Sequence, residues 1–274
     1  MADRYVRVKT ANDERVFYGI LQLNQSVQIL SAAPWLGGKL TEDLIAPDSY
    51  QLMVPCEPSK IVAVGKNYTA HAEEMNSSIS QEPLLFLKPS SALLATEGTI
   101  LLPFQSQQID YEGELALIIG SHCTNCSIQQ AAGAIWGYLI ANDVTARDLQ
   151  KQDSQWTRAK GFDTFCPLGP WIVREISPTA QIQTFLQNSK QPMQSDTIDN
   201  MVFSPEFLVA YISQIMSLIP GDVILTGTPS GVGVLSQGDR ISIEIEGIGK
   251  LQNYVDIRKP VPLESEYEYM DSIL

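Results

Sequence analysis

Apolar residues in this chain fall mostly into short runs cut by glycine, proline and small polar residues, a pattern of strands more than of helices. Alternation in Tyr5-Val6-Arg7-Val8 and in Arg15-Val16-Phe17-Tyr18-Gly19-Ile20 predicts strands near the N-terminus. Strand-length apolar runs recur at Lys60 to Gly65, Leu84 to Pro89, Thr99 to Pro103, Trp136 to Asp143 and Asp222 to Leu225. Asp110-Tyr111-Glu112-Gly113-Glu114 runs straight into Leu115 to Gly120 and reads as one strand. Arg240 to Glu246 with Lys250 to Arg258 reads as a hairpin about Gly247-Ile248-Gly249. Helices are fewer. Ser127 can cap one, with Gln130 reaching back as a capping box. The longest is predicted from about Ser204 to Leu218, with Pro205 in its first turn and Pro220-Gly221 as its stop. Its stripe of Phe207, Leu208, Tyr211, Ile212, Ile215, Met216 and Ile219 is expected to be core. Lys66 to Met75 reads as a helical turn. Without a repeating strand–helix–strand unit, a mixed or antiparallel β-roll is expected rather than a parallel doubly wound sheet.

Composition narrows the class. With 274 residues and 44% hydrophobic residues, the chain can bury a large core in one or two domains. The proline-bounded stretch near Pro58 divides a small strand-rich piece, 1–57, from a principal domain over 58–258, and an acidic tail occupies 259–274. A formal net charge of −13 argues against nucleic acid or an anionic membrane as partner, because both require basic patches. No segment approaches a membrane span, and the N-terminus lacks an apolar signal region, so the cytoplasm is the default expectation. Of the four cysteines, His122-Cys123-x-x-Cys126 invites a zinc reading, but no second CxxC or paired histidine completes a tetrahedral set.

Candidate chemistry concentrates between Asp110 and Asp163. Alternate residues of a strand point the same way, so Glu112 and Glu114, spaced by one glycine, project side by side. Asp143 ends another apolar run and supplies a third carboxylate. Such an all-oxygen set suits Mg²⁺ or Mn²⁺, although alternating glutamates on a strand are also what a solvated face looks like. His71 and Glu74, three apart on a helical turn, can touch, and the carboxylate would orient the imidazole. Only His71 and His122 could supply an imidazole base. The loop Thr226-Gly227-Thr228-Pro229-Ser230-Gly231-Val232-Gly233 follows a strand but lacks the Walker lysine and the dinucleotide fingerprint. Its backbone N–H groups suit a small carboxylate, and a plain tight turn is the alternative.

Six stretches, Gly65-Lys66-Asn67-Tyr68 with His71 and Glu74, Leu85 to Pro89, Tyr111 to Leu115, Asn142 to Asp148, Ala159 to Asp163, and Thr226 to Gly233, together resemble the fumarylacetoacetate hydrolase family in order and spacing. The resemblance spans about 58 to 258. It implies an α+β, mainly β fold, a mixed β-sandwich roll with a small N-terminal piece, and a homodimer. It further implies Mg²⁺ or Mn²⁺ at Glu112, Glu114 and Asp143, and catalytic roles for His71, Glu74 and Lys160. Tyr68, Arg147, Gln150, Gly227 and Thr228 fall where substrate would be contacted. Lys66 departs from the arginine or leucine expected before Asn67-Tyr68. The implied substrates are small 2-oxo or 2,4-diketo acids. Hydrolysis of acylpyruvates such as fumarylpyruvate is the leading expectation, with His71 activating water and Lys160 stabilising the pyruvate enolate. Oxaloacetate decarboxylation and 2-oxo acid isomerisation or tautomerisation share the same site, and a non-enzymatic sensor of oxalate-like acids is the alternative of a different kind.

Overall fold

The computed structural model describes residues 3–11, 15–74, 81–187 and 189–259. The N-terminal piece supplies β1 (Arg4–Thr10), β2 (Val16–Leu21), β3 (Val27–Leu30), β4 (Leu40–Ile45) and β5 (Tyr50–Leu52). The chain continues through β6 (Ile61–Gly65), α1 (Thr69–Glu74), β7 (Leu84–Lys88), β8 (Leu93–Leu94), β9 (Thr99–Leu102), β10 (Ile109–Tyr111) and β11 (Gly113–Ile119). Next come α2 (Ile128–Ala134), β12 (Ile135–Asn142), β13 (Thr145–Ala146), α3 (Arg147–Gln152), α4 (Thr157–Lys160) and β14 (Cys166–Val173). The last elements are β15 (Gln181–Leu186), β16 (Gln194–Thr197), α5 (Pro205–Ile215), β17 (Val223–Leu225), β18 (Gly233–Val234), β19 (Arg240–Ile245) and β20 (Gly249–Ile257).

Among the described residues these strands make three sheets. The largest runs β4-β3-β2-β1-β14-β12-β11-β17-β6-β7, with β5 also on β1 and β8 also on β14. A five-stranded sheet runs β16-β15-β19-β20-β9, and a small one runs β13-β10-β18. Most pairings are antiparallel, while β17 with β6, β20 with β9 and β14 with β8 are parallel. The fold is therefore α+β, mainly β, with mixed sheets, as expected.

Continuous apolar runs mark strands buried on both faces, and β11 shows why. Leu115, Leu117 and Ile119 join Val62, Val64 and Ile140 in one core, closed by Ile182, Ile243 and Leu251 of the five-stranded sheet and by Leu208, Val209 and Ile212 of α5. Ala116 and Ile118 point the other way, to Ile61, Ala63, Leu139, Leu225 and Trp35. Each such buried Leu or Ile contributes about 1.5–3 kcal/mol, so the central strands form a rigid support.

Two expectations are corrected. The helix α5 ends at Ile215, well before Pro220-Gly221, because Met216 is extended at φ −147, ψ 143. That turn lets Leu218 exchange backbone hydrogen bonds of 2.9 Å with Cys123, a tertiary contact that the helix could not make. The predicted apolar stripe is also offset. Leu208, Val209 and Ile212 are buried, whereas Ile215 is 56% exposed, and Phe207 stacks between Phe203 and Tyr211 in a half-buried aromatic row. The capping box of Ser127 and Gln130 is formed as predicted. Residues 75–80 of the polar segment after His71, and the acidic tail from 260 onward, lie outside the described residues.

Candidate active site

The site lies where two paired strands break at the same level. The strand expected through Asp110 to Gly120 is interrupted at Glu112, with β10 before it and β11 after it, and β12 gives way to β13 across Asp143-Val144. Beyond the break the pair changes sheet, since β11 pairs β12 in the large sheet and β10 pairs β13 in the small one. The backbone is tied at the step: Asp143 N–H donates to Glu112 O at 2.9 Å, and Glu112 N–H to Asn142 Oδ1 at 2.9 Å. Gly113 between the two glutamates has no room for a side chain, because a Cβ there would collide with Thr184 Oγ1 and lie 3.1 Å from Gln194 Oε1. This packing is the physical reason for the glycine between Glu112 and Glu114.

Glu112, Glu114 and Asp143 are all buried, and one carboxylate oxygen from each lies within 4.8 Å of the others. Two buried lysines and an arginine face them. Lys160 Nζ donates to Glu112 Oε2 at 3.0 Å and to Asp143 Oδ2. Lys88 Nζ donates to Asp143 Oδ1 at 2.6 Å. Arg147 bridges Glu112 Oε1 at 2.6 Å, Asp110 Oδ2 at 2.8 Å and Gln150 Oε1 at 2.6 Å. Burial alone would raise the Glu112 carboxyl, but Lys160 and Arg147 beside it hold it well below the usual carboxylate range. Glu114 differs. Burial first, and then the charges of Asp143 and Glu112, push its carboxyl well up, opposed by Lys160 and the Gly227 N–H at 2.8 Å. Burial disfavours the charge on Lys160, yet Asp143 and Glu112 outweigh it and raise the ammonium, which stays charged. A buried carboxylate crowded by two others, in an all-oxygen donor set, fits a divalent hard cation, which would remove that repulsion.

His71 lies on α1. Its Nδ1 lies 3.2 Å from Glu74 Oε2, and the Glu74 carboxylate also accepts from Gly231 N–H at 3.1 and 3.2 Å. The helical turn is thereby fastened to the glycine-rich loop, and the imidazole is 5% exposed. In the tautomer whose Nδ1–H donates to Glu74, Nε2 carries the lone pair.

A cavity of about 190 Å³ joins these groups, walled by His71, Glu112, Glu114, Lys160 and Arg147 and, on the apolar side, by Phe86 and Trp156. The two aromatic rings meet edge-on at 5.3 Å, and Lys160 Nζ sits 4.8 Å from the Phe86 ring centre. Gln150 and Thr228 also reach the cavity, while Glu74 and Asp143 hold its wall from behind. Tyr68 and Gly227 are not on that wall. Tyr68 is buried, its hydroxyl has no hydrogen-bond partner among the described residues, and burial with nearby Asp196 pushes it up. Gly227, at φ 98, is the glycine whose Cβ would fall 2.7 Å from Asn67 Cβ, and its N–H serves Glu114.

Sequence reasoning missed Lys88, Gln194 and Trp156. Lys88 had a signal, being the lone charge closing the apolar run of β7. Gln194 had none: it comes from a distant strand, yet its buried amide accepts from Gly113 N–H at 2.9 Å and Thr184 Oγ1 at 2.8 Å and donates to Thr228 Oγ1 and Pro229 O at 2.8 Å. It joins the glutamate strand to the glycine-rich loop.

The fold and site thus define a mainly β protein whose carboxylate triad can hold a divalent cation beside a histidine and a lysine. The chain belongs to the fumarylacetoacetate hydrolase family, whose C-terminal domain model matches residues 60–256. A second model, Rv2993c-like, N-terminal, matches residues 3–55. The mitochondrial oxaloacetate tautomerase of Bos taurus is 40% identical over 209 residues, 72% of this chain and 67% of its own. A 2-hydroxyhepta-2,4-diene-1,7-dioate isomerase from Mycobacterium marinum superposes with a TM-score of 0.86 at 37% identity, covering 94% of this chain and all of its own. A fumarylpyruvate hydrolase from Pseudomonas aeruginosa, solved with Mn²⁺ and pyruvate, gives 0.68 at 31% identity, over 76% and 92% of the two chains. Members of this family are hydrolases, isomerases and tautomerases, and divalent metal accompanies at least the hydrolase.

Proposed function

We propose that this protein is a divalent-metal-dependent enzyme of small 2-oxo acids that works through an enolate, with keto–enol tautomerisation of oxaloacetate or a close relative as its leading reaction. One observation carries the reading: a buried, carboxylate-oriented imidazole opens into the same small cavity as an oxygen triad and a charged lysine. Bound at Glu112, Glu114 and Asp143, Mg²⁺ or Mn²⁺ would supply Lewis acidity toward the carboxylate and keto oxygens of the acid. The chain's own groups do the rest. His71 Nε2 takes a proton from the carbon beside the keto group, and Glu74 stabilises the imidazolium that results. Lys160 has three N–H bonds, of which Glu112 and Asp143 use two, and the third is available to a developing enolate oxygen. Delivery of a proton to the enolate oxygen then gives the enol and leaves His71 to shed the proton it took from carbon, and the reverse sequence, O–H loss followed by protonation of carbon from His71, gives the keto acid; the order of identity among relatives of named activity supports that outcome.

Hydrolysis of acylpyruvates is the second reading. The same His71–Glu74 pair could instead take a proton from water, as the likeness to the fumarylpyruvate hydrolase suggests. Decarboxylation of oxaloacetate would use the enolate cradle without a nucleophile. A homodimer accompanies the reading, and light scattering tests it.

The deciding experiment follows oxaloacetate keto–enol interconversion by ultraviolet absorbance, alongside pyruvate release from oxaloacetate, acetylpyruvate and fumarylpyruvate, with Mg²⁺, Mn²⁺ or a chelator. Tautomerisation that the chelator abolishes, and that falls about 10²–10⁴-fold in His71→Ala, is the expected result. Rapid pyruvate release from the acylpyruvates with inert oxaloacetate would put hydrolysis first. Inertness toward all of these acids, with intact binding of oxalate, would favour the sensor.

A further inference from the structure

The cavity is lined by two further charged residues that the enolate chemistry does not use. Lys66 and Lys151 reach its wall, yet neither side chain takes part in a hydrogen bond or ion pair among the described residues. In a chain of net charge −13 that contrast is specific, because the three basic groups deeper in the site, Lys88, Arg147 and Lys160, are each paired with a carboxylate. Lys66 is also held at a conformational cost. Its φ is 61, in the left-handed region that a long side chain rarely adopts. The cause is the next residue. Asn67 is fully buried and is fastened by its side chain to Phe203 N–H at 2.7 Å, Phe203 O at 3.0 Å and Thr226 O at 2.8 Å, so the chain must turn sharply at the end of β6. Backbone held in such a region persists where its surroundings over-determine it, and such positions cluster at functional sites.

We propose that Lys66, with Lys151 on the same cavity wall, is the specificity-determining group for the far end of the substrate and receives a second, distal carboxylate, so that 2-oxo dicarboxylic acids are preferred over 2-oxo monocarboxylic ones. The inference rests on the 2-oxo acid reading above and adds to it. The acid's keto end faces the triad and Lys160, Phe86 and Trp156 flank its carbon chain, and the ammonium of Lys66, without a partner among the described residues, meets the remaining charge. At about 190 Å³ the cavity suits a short acid better than the drug-sized ligands of larger pockets.

Calorimetric titration of the Mg²⁺-loaded full chain with pyruvate, which has one carboxylate, and with oxaloacetate, which has two, reads the preference directly. Wild type is expected to bind oxaloacetate at least about tenfold more tightly, the worth of one charge-assisted hydrogen bond. Lys66→Asn removes the charge while tolerating a positive φ, and is expected to collapse the ratio toward one; Lys66→Arg should keep it. Lys66→Gly, which fits that φ without strain, should also lose the ratio while keeping the melting temperature, so that misfolding cannot explain the result. Equal affinity of wild type for the two acids, or an unchanged ratio in Lys66→Asn, would overturn the distal subsite and leave the 2-oxo acid reading standing. Failure of wild type to bind either acid would overturn both.

Discussion

Asp143 and Glu114 belong to one triad but stand in opposite surroundings, and substitutions should separate them. Asp143 is the shared partner of the buried ammonium groups of Lys88 and Lys160. Asp143→Ala leaves the buried Lys88 ammonium without its carboxylate and Lys160 with Glu112 alone, and is expected to cost about 3–5 kcal/mol, the penalty for breaking a buried pair, visible as a large fall in denaturant midpoint. Glu114 instead adds a like charge to a crowded cluster. Glu114→Gln should therefore leave the melting temperature of the metal-free protein unchanged or higher while weakening Mg²⁺ binding in a calorimetric titration. Asp148 supplies a pH test away from the triad. Burial would raise its carboxyl, but hydrogen bonds from Gln107 N–H at 2.8 Å, Ser106 Oγ and Leu149 N–H at 2.9 Å hold it below its ordinary value. A depressed carboxyl contributes stability that is complete above its unfolded value, about 3.9, and is lost as pH falls through the folded one. The melting-temperature gap between wild type and Asp148→Ala should accordingly be widest near neutrality and narrow as pH drops below about 4.

At the scale of elements, α1 has only six residues and is held by side-chain contacts more than by its own length. Glu74 is the joint between it and the glycine-rich loop, through the Gly231 N–H. Replacing Glu74 with alanine should speed hydrogen exchange across residues 69–74 and at Gly231 together, and binding of oxalate should slow exchange there in wild type. Exchange that is equal and slow with and without oxalate would mean that the turn does not open to admit substrate. The helix α5 teaches a related lesson. Its period was readable, but its end was set by the bridge from Leu218 to Cys123, a contact remote in sequence.

Across the whole molecule, the N-terminal piece is joined to the large sheet through β1 and β14 and to its core through aromatic rings. Tyr5 lies 4.8 Å and Trp35 5.7 Å, centre to centre, from Trp136, and Tyr18 lies 5.5 Å from Trp35. Deletion of residues 1–57 would uncover this apolar face and the edge of β14, so the truncated chain should aggregate, measured as loss of soluble protein on sedimentation. A soluble truncation with unchanged melting temperature would show instead that 58–258 is an independent domain.

What the sequence by itself determined is local or ordered along the chain. Period-two alternation and apolar runs marked the central strands, the Ser127 and Gln130 pair marked a helix start, and the glutamates around Gly113, with Asp143, His71, Glu74 and Lys160, were legible because each sits in a short stretch of characteristic residues. Tertiary structure decided what depends on residues far apart. It broke the strand at Glu112, since only pairing with β12 and β13 makes the two ladders change sheet there. It assigned Lys88 and Lys160 to the two oxygens of Asp143, brought Gln194 to the glycine between the glutamates, and turned Lys66 into the cavity by fastening Asn67 to Phe203 and Thr226. Those contacts join residues 17 to 159 positions apart, and no local preference of either partner encodes them.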